Sequence, residues 1–134
     1  MHAMVIPGGS GSTEQVIGGA QWAVSEGADV ASLSLGAGCG LFGPVYSQAW
    51  IPVIENTKAS GTNFVAAAGN GGEGCVGSPG NDYRSFSIGA SNANGDIADF
   101  SVAKLSIKPN GIIHLQRGLI HSRSRMSPHP VLIY

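Results

Sequence analysis

Charge is scarce in this chain: only 11% of its 134 residues are Asp, Glu, Lys or Arg, and the net charge is -1. Long apolar runs are missing too. No uninterrupted stretch reaches the roughly 18 to 20 residues of a membrane span, so a membrane partner is not expected. The start, "MHAMVIPGG", is too short and lacks the charged opening of a secretory signal, so no export address is expected and no compartment is indicated. Cysteine occurs twice, as Cys39 and Cys75, without CxxC spacing. Two are too few for a disulfide framework or a four-cysteine zinc site, which leaves one disulfide or two inert thiols. The four histidines have no metal spacing, and no metal or cofactor is expected. What remains is 43% hydrophobic and carries 21 glycines, the composition of one compact domain.

The composition breaks near residue 101. All eight acidic residues precede position 100, whereas five of the seven Lys and Arg (Lys104, Lys108, Arg117, Arg123, Arg125) follow 102, with His114, His121 and His129. Residues 1–101 therefore read as the domain, and 102–134 as an irregular basic tail, extended and solvated, foreign to it and consistent with a shifted reading frame. Its charges are scattered among "GIIHL" and "VLIY", too thinly for a nucleic-acid arm, and no nucleic-acid partner is expected.

Residues 3–6, "AMVI", suggest a short strand. Ser12 opens a helix signature, with Gln15 as its capping-box partner and Val16, Ile17, Ala20, Ala23 and Val24 at helical spacing up to Gly27. "DVASLSL" (29–35) is strand-like. A second helix is expected from Pro44 to Ser60, kinked or split at Pro52. Strands follow at 62–68, 84–91 and 96–101. Strands alternating with helices of this length predict an α/β fold, a doubly wound parallel sheet covered on both faces. Ligands of such sheets bind beyond the carboxyl ends of the strands, where the glycine-rich loops 36–43 and 69–80 fall.

Two motifs compete for those loops. Gly38, Gly40 and Gly43 match G-x-G-x-x-G between a strand and a helix, the context of a nucleotide site, but the next strand ends Ala68, Gly69, Asn70 instead of at a ribose-binding carboxylate. "GGSGST" at 8–13 lacks a phosphate-binding lysine and reads as an ordinary turn with an N-cap. "FVAAAGNGGEGCVGSPG" (64–80) is the other motif. A buried strand ends in an uncharged carboxamide, Asn70, and a loop almost without side chains, a combination suited to binding.

Taken in order, "QVIGGAQWAVSEGADVASLSLG", "ASGTNFVAAAGNGGEGCVGSPG" and "SFSIGASNANGDIADFS" resemble the central portion of the subtilisin-like serine proteases, the subtilase family (peptidase S8), over residues 3 to 101. The resemblance implies a partial subtilisin-like fold, a polypeptide substrate and, in an intact parent, peptide-bond hydrolysis through an acyl-enzyme. It implies that Asn70 donates its amide to the oxyanion of the tetrahedral intermediate. Ser34, Leu35 and Gly36 correspond to the edge that pairs with an extended substrate. Ala67, Ala68 and Gly69, with Gly77 opposite, correspond to the walls of the pocket for the residue before the scissile bond. The family is commonly secreted.

The triad segments Asp-Ser/Thr-Gly, His-Gly-x-His and Gly-Thr-Ser do not occur in these 134 residues. By order, the first two are expected before Met1 and the third after Ser101. A protease fragment inactive alone is thus the leading expectation, with a peptide-binding pseudoenzyme and a nucleotide-binding module using Gly38–Gly43 as alternatives. Self-association through exposed sheet edges is expected of either kind of incomplete sheet. Cys39 and Cys75 each follow a strand, and adjacent strands would bring them within bridging range. Asp82, Asp96 and Asp99 read as loop carboxylates in preference to ion ligands.

Overall fold

The computed structural model describes residues 1–40, 43–72, 74–102 and 130–133. Most of the basic tail, including His114, His121 and His129, lies outside these residues.

Helix α1 (Thr13–Ser25) begins where the sequence marks it. The Gln15 N–H donates to Ser12 Oγ at 3.4 Å, and the Ser12 N–H donates to Gln15 Oε1 at 2.8 Å, so two otherwise orphaned donors are satisfied reciprocally. Its inner face, Val16, Gly19, Ala20 and Ala23, is buried. Strand β2 (Val30–Leu33) follows, then the short antiparallel pair β3 (Cys39–Gly40) and β4 (Gly43–Pro44). Helix α2 spans Trp50–Ala59, strand β5 Asn63–Ala67 and strand β6 Phe86–Ile88.

The second helix corrects the sequence reading. Pro44 is paired in β4 and does not open it. Because α2 starts at Trp50, Pro52 falls in its first turn, where a missing N–H breaks no helical hydrogen bond, and the helix is not split there. Gly43 therefore opens no helix, and among the described residues no helix N-terminus follows the glycine loop directly, as a nucleotide loop requires. Residues 96–101 are not a strand either. Only an isolated bridge joins Ile97 to Ser91, and Ser101 Oγ accepts the Ala90 N–H at 2.8 Å.

The main sheet is parallel throughout, in the order β1-β7-β2-β5-β6, with β1 at His2–Ala3 and β7 at Pro130–Ile133. Residues 130–133, expected in a solvated tail, instead form an inner strand, and Ile133 is fully buried. The reason is pairing on both edges, which a composition count does not register. Ala31 and Leu33 of β2 and Phe64 and Ala66 of β5 point into one core with Val16, Ala20, Ala23, Trp50 and Ile54. Trp50 and Phe64 meet with ring centroids 6.1 Å apart. The two helices pack against each other as well as on the sheet, so both cover the same face. The second helical layer of a doubly wound sheet is not among the described residues.

Candidate substrate cleft and oxyanion site

Strands β2 and β5 are neighbours and run the same way, so the loops leaving them emerge side by side. Between them lies a cavity of about 580 Å³. Of the eight residues singled out in the sequence, Ser34, Leu35, Gly36, Ala67, Gly69, Asn70 and Gly77 line it. Ala68 does not. It is buried, donates its N–H to Ile88 O and accepts from the Gly77 N–H, both at 2.8 Å, and so holds the wall from behind. Ala37, Gly38, Cys39, Gly71 and Cys75 complete the lining. The sequence reading had assigned Gly38 only to the competing glycine motif, and Cys39 to that motif and to a possible bridge with Cys75. The cysteine pair was the signal that these two loops meet.

The loops are laced together. Cys39 and Cys75 form a disulfide with Cα atoms 5.7 Å apart. Ala37 and Ser78 exchange backbone hydrogen bonds of 2.8 and 3.1 Å. Gly69 has φ +116°, a conformation that L side chains rarely adopt, and it turns the chain between the buried strand and Asn70. Gly77 has a different reason: a Cβ there would run into the Ala37 carbonyl oxygen. Gly77→Ala is expected to destabilise the protein by about 1 to 3 kcal/mol and to part the Ala37–Ser78 pair, because two backbones must separate to admit one methyl. Thermal unfolding measures this, and an unchanged melt removes Gly77 as the point of contact.

Further out, Tyr46 Oη donates to Asp82 Oδ2 at 3.0 Å and Asn81 Nδ2 donates to Val45 O at 2.9 Å. These bonds tie the segment after β4 to the loop beneath the cavity. Partial burial, together with the adjacent Asp82 carboxylate, raises the Tyr46 hydroxyl above its ordinary pKa. Asp82 is itself buried and receives the Arg84 guanidinium and the Arg84 N–H. It acts as a loop carboxylate.

No ionisable group lines the cavity among the described residues, since both cysteines are oxidised. Its walls are small and neutral. Asn70 is exposed at its rim, and the carboxamide has no hydrogen-bond partner among the described residues. Ser34 is more constrained: its N–H is taken by Ile133 O at 3.2 Å and is not free for a substrate backbone.

A family model for the subtilase family matches residues 2–112. The chain belongs to the subtilase family. This subtilase chain is 37% identical over 93 residues to alkaline elastase YaB of Bacillus sp. (strain YaB), covering 69% of this chain and 23% of that relative. It is 36% identical over 99 residues to subtilisin E of Bacillus subtilis (strain 168), covering 71% of this chain and 24% of that relative. It thus spans about a quarter of the length of these relatives. Among solved structures, the prenylagaramide maturation protease PagA superposes with a TM-score of 0.63 at 22% identity, over 79% of this chain and 38% of that one, a likeness of fold.

Proposed function

We propose that this subtilase chain supplies the substrate cleft and the oxyanion donor of a serine endopeptidase. The observation that carries the reading is the Asn70 carboxamide, without a hydrogen-bond partner among the described residues, at the rim of a neutral cavity at the carboxyl ends of two adjacent parallel strands. A carboxamide is neutral at any working pH and is a donor, so it stabilises negative charge developing on a carbonyl oxygen without a proton of its own to lose. The small-walled cavity beside it would seat the side chain preceding the scissile bond. The stretch Leu35–Gly36, half-buried at Leu35 and exposed at Gly36, would lie along the substrate backbone. The polypeptide substrate follows from membership of a protease family.

Acyl transfer also needs a nucleophile and a base, and the triad segments are absent from these 134 residues. The chain alone is therefore expected to hydrolyse no casein and to take up no fluorophosphonate label. Stoichiometric serine labelling with turnover above a blank would overturn the assignment of the chain as the cleft-bearing part alone.

A further inference from the structure

The segment Pro130–Ile133 occupies a place that the rest of the fold defines without it. Strands β1 and β2 are joined through α1, and both are parallel to β7, which lies between them. Their separation is thus two interstrand spacings, about 9 to 10 Å. The other strands cannot fill this gap, because β5 pairs with the far edge of β2 and β6 with the far edge of β5. Helix α1 roofs the gap, and Gly19 brings it close: a Cβ there would meet Val5 Cγ1 and come within 3.4 Å of Ile133 Cγ2. The occupant is paired on both edges, Val30–Leu33 against Pro130–Ile133 on one side and His2–Ala3 against Leu132–Ile133 on the other. Its buried anchor is Ile133, at 0% exposure.

We infer that the gap between β1 and β2 is a strand-acceptor site for an extended apolar peptide in parallel register, and that β7 is its exchangeable occupant. Among the described residues, β7 is held by the pairing and packing of four residues, which follow residues 103–129 in the chain. A strand supplied by another molecule makes the same ladder and fills the same apolar place beside Gly19. It differs only in meeting its site at bulk concentration instead of at the effective concentration of a tether. Main-chain pairing on two edges supplies affinity, and the place taken by Ile133 supplies selectivity for an uncharged, branched residue. Pro130, at the first position of the strand, costs no interior ladder bond.

The test uses the full chain and a fluorescein-labelled peptide with the sequence of residues 127–134, SPHPVLIY, followed by fluorescence anisotropy and thermal unfolding. Ile133→Asp in the protein places a carboxylate in the buried site and disables the tethered competitor. That variant is expected to bind the peptide at least roughly tenfold more tightly than the unaltered chain and to melt higher in its presence, while a peptide carrying Asp in place of Ile133 does not bind. A variant that is unfolded alone but folds on adding the peptide supports the site equally, as does exchange of the strand between two copies. A variant that folds yet ignores the peptide, or stays unfolded at saturating peptide, overturns it.

Discussion

Asn70→Ala, in a chain whose missing nucleophile and base are restored by grafting residues 3–101 into a complete subtilisin framework, is expected to lower kcat by about 10² to 10³ with KM little changed. That size is the one known for the oxyanion asparagine of a subtilisin and is carried over from the family. The direction comes from the site itself. The Asn70 amide has no hydrogen-bond partner among the described residues, so it is available without breaking anything. Gly69, at φ +116°, turns the chain just before it. A donor aimed at a position where charge exists only in the transition state speeds the chemical step without tightening the ground state. Asn70→Asp should be at least as harmful, since an ionised carboxylate has no proton to donate and repels the oxyanion. Steady-state kinetics on a peptide substrate separates the possibilities. Unchanged kcat with a raised KM would make Asn70 a ground-state contact and remove the oxyanion role.

Replacing both cysteines, as Cys39→Ser with Cys75→Ser, is expected to cost about 3 to 4 kcal/mol of stability and lower the melting temperature by about 10 to 20 °C. The bridge closes a loop with a sequence separation of 36 residues, and on the chain-entropy account its removal returns that freedom to the unfolded chain. The loss has a second consequence because of where the bridge sits. Cys39 belongs to one wall of the cavity and Cys75 to the other, so without it the walls are joined, beyond the β2–β5 ladder beneath them, by the Ala37–Ser78 pair. Gly71 also packs against Cys75, which leaves the loop around Asn70 less supported. Differential scanning calorimetry of the oxidised protein and the double variant tests the prediction. A shift below about 3 °C would place the bridge on segments that are already independently rigid.

Local signals in the sequence were read where their physics is local. The Ser12–Gln15 capping box is complete within four consecutive residues, and it appears as expected. Short apolar runs bounded by glycines located β2 and β5 to within a residue or two of their ends, and with them the two loops that shape the cleft. The Ala-Ala-Gly-Asn turn was the strongest element of the resemblance that carried the family, together with the Ser-Pro-Gly and Ala-Asp-Phe-Ser runs that follow it. Misreadings arose where a residue's neighbours in space outweighed its neighbours in the chain. Pro44 has the properties of a first helical residue, but it lies opposite Cys39 in a two-residue ladder whose cysteine is bridged to the far loop. The early strand, expected at 3–6, is only His2–Ala3, because its pairing ends where Ile133 ends.

By itself the sequence determined the parallel α/β class, the order of the helices, the position of Asn70 and the absence of triad segments, all properties of short contiguous runs. Tertiary structure alone decided three things. It set Ala68 behind the cavity wall, through hydrogen bonds to Ile88 and Gly77. It made Gly77 obligatory, through the approach of the Ala37 carbonyl. It also drew Pro130–Ile133 into the middle of the sheet. A strand inserted between two others is selected by the unpaired hydrogen-bonding groups on both its flanks, and those groups belong to residues about 100 positions away in the chain on one side and about 130 on the other.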